Sequence, residues 1–83
     1  MTEFDERVKR RQNAGSHVKT TYGQKRDGTR FAFVLNAFTY RNFPWSYTAH
    51  FIIENSFADQ REEFDYMDEA DEYISRKKKE LEG

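Results

Sequence analysis

The chain has 83 residues and carries a net charge of −1, which leaves room for one small α+β domain. Cysteine is absent, so disulfides and thiolate metal centres are excluded. No apolar run approaches the roughly 20 residues needed to cross a bilayer, and the charged amino terminus has no leader-like segment, so a soluble, cytoplasmic protein is expected.

The near-neutral total conceals a split. Residues 1–50 hold nine Lys/Arg against four Asp/Glu, and residues 51–83 hold five against eleven. Such a layout suits a basic face, an acidic face, or neutralisation between the two halves. Aromatics make up 17% of the chain. They offset a low apolar content, because each ring buries a large area.

Residues 1–15 read in two ways, as a short helix or as a flexible basic arm. For the helix, Thr2 is the cap and Asp5 stands three positions on, where a capping box places its acid. Asp5 to Lys9 and Glu6 to Arg10 have the spacing of helical ion pairs. Only Phe4 and Val8 give it an apolar face, which predicts weak docking. Asn13-Ala14-Gly15 ends it.

From Ser16 to Gln24 the residues alternate in a β pattern, with Val18, Thr20 and Tyr22 on one side. Asp27-Gly28 then marks a hairpin, since glycine supplies the positive φ such turns need. A second strand follows from Thr29 to about Tyr40. Phe31, Phe33, Leu35 and Ala37 fall on one face, and Ala32, Val34, Asn36 and Phe38 on the other. Apolar residues on both faces predict a central strand covered twice.

Arg41 to Trp45 reads as a turn or wide loop around Pro44. Ser46 to Glu54 is a third strand, with Tyr47, Ala49, Phe51 and Ile53 facing one way and Thr48, His50, Ile52 and Glu54 the other. A short fourth strand near Arg61–Phe64 and an irregular connection both fit residues 57–65. From Asp65 to Leu81 the pattern is helical. Met67, Ala70, Ile74 and Leu81 share a stripe, with Tyr66 and Tyr73 flanking it and Asp65 as the cap. Acidic residues occupy its first turn and basic ones its last, as the macrodipole favours.

These elements assemble into an antiparallel meander of three or four strands with the carboxy-terminal helix on one face. The other face, with Val34, Phe38, Tyr40 and Ile52, then has only the amino-terminal segment to cover it. An uncovered apolar face is a contact surface.

No catalytic constellation is present. There is no cysteine, no serine elbow and no glycine-rich phosphate loop. His17 and His50 are scattered, and Glu54 or Asp27 beside them makes no ligand spacing for a metal. No cofactor or small-molecule substrate is evident, and the chain is read as non-enzymatic. The preferred reading is a binding module for a protein partner or a second copy, using Phe38, Tyr40, Phe43, Trp45 and Ile52. Tryptophan and tyrosine dominate such contact surfaces. The alternative is single-stranded nucleic-acid binding, with Lys25, Arg26, Arg30 and Arg41 tracking phosphates beside stacked aromatics. A pI of 6.1 weighs against it. In general layout, a tiny α+β chain with split charge and no catalytic residues, the protein resembles small proteins of phages and mobile elements. Some of these inhibit a host complex by occupying a protein or nucleic-acid groove.

Overall fold

The computed structural model describes residues 2–83. In chain order it contains α1 (Glu3–Gln12), β1 (Ser16–Gln24), β2 (Arg30–Tyr40), β3 (Phe43–Ile53), β4 (Gln60–Phe64) and α2 (Met67–Glu82). The four strands form one antiparallel sheet in the order β1-β2-β3-β4. The expected α+β meander with a carboxy-terminal helix is the fold.

Turn chemistry sets the meander. Between β1 and β2 the Gly28 amide donates to the Lys25 carbonyl (3.0 Å) and the Lys25 amide to the Thr29 carbonyl (2.8 Å). Gly28 sits at φ 92°, the left-handed position that a three-residue hairpin loop reserves for glycine. Between β2 and β3 the connection is tighter than the wide loop expected from Pro44. Tyr40 pairs with Phe43, leaving only Arg41 (φ 51°) and Asn42 (φ 71°) in the turn. Two successive positive φ values are those of a type I′ turn, whose twist matches the strands it joins. Phe43, Pro44 and Trp45 therefore belong to β3. Proline is tolerated there because β4 pairs only with Tyr47–Phe51, so residues 43–46 form an unpaired edge.

β2 is buried on both faces from Phe31 to Ala37. On one face Phe31, Phe33, Leu35 and Ala49 pack with Ala70 and Ile74 of α2, and Phe51, Tyr73 and Leu81 border them. The Phe33 and Phe51 rings stack at 5.0 Å between centroids. Met67 belongs to the expected stripe of α2 but is exposed. The helix begins one residue later than Asp65 would set as cap. Tyr66 is the cap, and its side chain makes no capping bond.

On the opposite face Ala32, Val34 and Ile52 pack against Phe4 and Val8 of α1. This corrects the expectation of an uncovered face. The capping box at Thr2 is formed as expected, with the Asp5 amide donating to the Thr2 hydroxyl and the Thr2 amide to the Asp5 carboxylate (both 3.2 Å). Two apolar side chains are a small docking surface, contributing about 1.5–3 kcal/mol each. A polar anchor completes it. Arg7 is buried, ion-paired to Asp59, and donates to the Ile53 carbonyl at 2.9 Å. Arg11 joins the same carboxylate at 3.1 Å. The amino-terminal segment is thus a packed helix, tied to the β3–β4 connection.

Two outcomes follow for stability. Gly23 pairs with Phe31 across β1 and β2, and a Cβ built on it would collide with the Phe31 ring. Gly23→Ala should cost about 1–3 kcal/mol through overpacking. Gly15→Ala, whose Cβ would meet its nearest neighbour at 3.5 Å, should be close to neutral; urea unfolding of both variants checks the contrast. Asp59→Ala leaves Arg7 buried without its counter-charge and should lower unfolding free energy by about 3–5 kcal/mol, read as a fall in the urea midpoint.

Candidate functional site

Coverage of the sheet by the helices is incomplete at one end. On the α1 face the helix stops at the Asn36 row, where the Asn36 side-chain amide donates to the Arg11 carbonyl at 2.7 Å. Asn36 pairs with Thr48 across the strands. Asn36 Oδ1 and Thr48 Oγ1 are buried without a hydrogen-bond partner among the described residues, the situation in which ordered water is usually recruited. Beyond that row β2 and β3 continue as a bare hairpin. Phe38 is 37% exposed, Tyr40 66%, Phe43 76% and Trp45 66%.

The ladder changes register inside this tip. Phe38 pairs with Ser46, but Thr39 pairs with Pro44. Trp45 is the residue left over, so the strand bulges there. Trp45 consequently walls two neighbouring hollows. One, of about 380 Å³, is lined by Phe38, Trp45, Ser46, Glu63 and Asp65. The other, of about 370 Å³, lies between Tyr40 and Trp45. The Arg41 guanidinium sits over the Tyr40 ring at 5.4 Å.

β4 delivers the polar side of this end. Tyr47 pairs with Phe64 and Thr48 with Glu63. Glu63 thus lies on the α1 face of the sheet, next to the uncovered Phe38 row. Asp65, Tyr66 and Met67 follow directly, all exposed.

The structure therefore gathers four of the five expected contact residues, Phe38, Tyr40, Phe43 and Trp45, at one tip. Ile52 is not among them. It is fully buried beneath Phe4 and Val8, because α1 covers the part of the face that Ile52 occupies. Glu63 and Asp65 join the tip, although the sequence marks Asp65 only as a helix cap and Glu63 not at all. Only the register of β4 brings them there.

The four cations of the nucleic-acid reading are divided. Arg41 is at the tip. Lys25, Arg26 and Arg30 are at the other end of β2, roughly 30 Å away along a strand of this length. Arg30 is paired with Glu54 at 3.1 Å and stacked on Phe4 at 5.0 Å. Arg26 donates to the Gly83 backbone oxygen at 2.6 Å. The Arg30 pairing, foremost its hydrogen bonds, holds the Glu54 carboxyl below its ordinary range.

The two histidines are also apart in role. His17 shares a hydrogen bond with Thr20 at 2.8 Å. His50 is buried on the α1 face, and its pKa is lowered first by that burial and then by Arg11 and Arg61. Among the described residues no three His, Asp or Glu side chains converge to hold a metal ion. No helix among them is long and apolar enough to cross a membrane. Set against known proteins, the chain matches no protein-family model, no curated protein and no solved structure.

The tip should be separable from the core by mutation. Trp45→Ala and Phe43→Ala are expected to leave unfolding free energy within about 0.5 kcal/mol of the parent. Ile52→Ala should cost about 2–5 kcal/mol. Denaturation followed by far-ultraviolet circular dichroism separates the two classes.

Proposed function

We propose that this chain is a non-enzymatic protein-binding module whose contact surface is the β2–β3 tip. One observation carries the reading: four aromatic side chains are exposed together where the hairpin runs past both helices. Elsewhere on the sheet only Val18 and Tyr22, four residues apart on the edge strand β1, are exposed large apolar side chains, so the tip is where exposed aromatic side chains cluster. Exposed contiguous apolar surface marks interaction sites in small soluble proteins, and tryptophan and tyrosine supply most of the binding energy at such contacts. The type I′ turn and Pro44 stiffen the hairpin, which lowers the entropy lost on binding. Charge supports a protein partner over nucleic acid. Glu63 and Asp65 stand beside the rings, and carboxylates there would repel a phosphate backbone.

Photo-crosslinking tests the reading. A benzophenone amino acid replaces Phe43 in one variant and Phe57 in another. Phe57 is equally exposed but lies in the β3–β4 connection at the opposite end. In cells that make the protein, the Phe43 variant should form a discrete crosslink to a protein, the Phe57 variant should not, and adding Trp45→Ala should remove it. No crosslink, or equal crosslinks from both positions, would refute the assignment. A crosslink to a second copy of the chain would make the tip a self-association face.

A further inference from the structure

We infer that the hollow between Phe38, Trp45, Glu63 and Asp65 receives a cationic side chain, a lysine or arginine on a basic segment of the partner; this rests on reading the tip as a protein-binding surface. The hollow combines two kinds of group that attract cations. The faces of Trp45 and Phe38 carry the negative quadrupole that draws an ammonium or guanidinium. Glu63 and Asp65 supply full negative charge and acceptors for charge-assisted hydrogen bonds. Ser46 adds a hydroxyl acceptor. At about 380 Å³ the open hollow has room for an inserted lysine or arginine side chain.

Three further observations point the same way. First, neither carboxylate has an ion-pair partner among the described residues, whereas Asp59, Glu54 and Asp71 each hold a cation of the chain. Acidic residues in the first turn of α2 are accounted for by its macrodipole. Glu63 lies in β4 and has no such explanation. Second, the tip already holds a guanidinium against one of its rings, that of Arg41 over Tyr40. The rings of this end are thus presented in a way a guanidinium can approach. Third, Asp68 and Glu69, exposed shortly after Asp65 at the start of α2, extend the negative charge beside it, a field that would steer a basic segment toward the hollow.

The only tryptophan of the chain is Trp45, so its fluorescence reports on the hollow directly. Blocked hexa-arginine, hexa-lysine and hexa-glutamate peptides and a short oligothymidylate are titrated at low salt. Saturable changes are expected with one or both basic peptides and none with the two anionic probes. Glu63→Gln/Asp65→Asn should weaken the basic peptide by roughly tenfold or more, the scale of a lost charge-assisted bond. Glu3→Gln/Glu6→Gln removes the same formal charge from the start of α1, at the opposite end of the sheet, and should leave affinity nearly unchanged.

No response to either basic peptide, a response to the anionic probes instead, or equal losses in the two double variants would overturn the proposal. Thermal melts of both variants confirm that they are folded. The crosslink from position 43 separates this failure from that of the broader reading. If only the cation site is wrong, Glu63→Gln/Asp65→Asn keeps the full crosslink. If the tip is not a protein-binding surface, the variant with benzophenone at position 43 and both carboxylates intact forms none.

Discussion

The enclosure of β2 is the constraint from which the rest of this structure follows. Between Phe31 and Ala37 no side chain of the strand reaches solvent freely. A strand in an antiparallel sheet normally has one dry face and one wet one. Here both are dry, so each needs a layer of its own. The two layers are unequal because the residues are. The α2 face carries Phe31, Phe33, Leu35 and Phe51 and receives a sixteen-residue helix. The α1 face carries Ala32, Val34 and Ile52, and a ten-residue helix with two apolar contacts suffices to cover it. What that helix lacks in area it recovers through Arg7, whose guanidinium joins Asp59 and the Ile53 carbonyl. A buried ion pair is weak as a source of net stability but strict about geometry. In this chain it fixes where α1 lies, and so where it stops.

Where α1 stops decides where the surface of interest begins. The last contact is the Asn36 amide on the Arg11 carbonyl. One strand row further, Phe38 and Ser46 have no helix above them. The bulge at Trp45 then turns an ordinary hairpin end into a surface with relief, because an unpaired residue cannot lie flat in the ladder. β4, ending beside this row, contributes the carboxylates. The hollows are a by-product of three boundaries meeting: the end of a helix, a slip of register and the start of the next helix.

Much of this was legible in the residues. Alternation exposed β1, β2 and β3, Asp27-Gly28 marked the first turn, and the Met67–Leu81 periodicity marked α2. Local rules sufficed because each feature involves neighbours in sequence. Thr2 and Asp5 announced the helix start for the same reason. The docking of α1 was not legible, since Arg7 and Asp59 are 52 positions apart and their attraction has no periodic signature. Ile52 is buried as a consequence, on a face whose cover has no signal in the sequence. Pro44 misled in the opposite way. It suggested a wide loop, whereas Arg41 and Asn42 alone close the turn, and the proline rests on an edge that only the short length of β4 leaves open. Phe38, Tyr40, Phe43 and Trp45 fall at one end of the hairpin because they are close in sequence. Glu63 and Asp65 are distant in it, and only pairing across the sheet brings them near.

The hairpin has a consequence for how this sequence can vary. Residues up to Ala37 and from Tyr47 onward answer to packing on two faces, so an exchange there must preserve volume and polarity together. Between Phe38 and Ser46 only the turn imposes a comparable demand. The same pair of strands is therefore conservative at its root and permissive at its crown, and a lineage could replace the crown's side chains without refounding the fold.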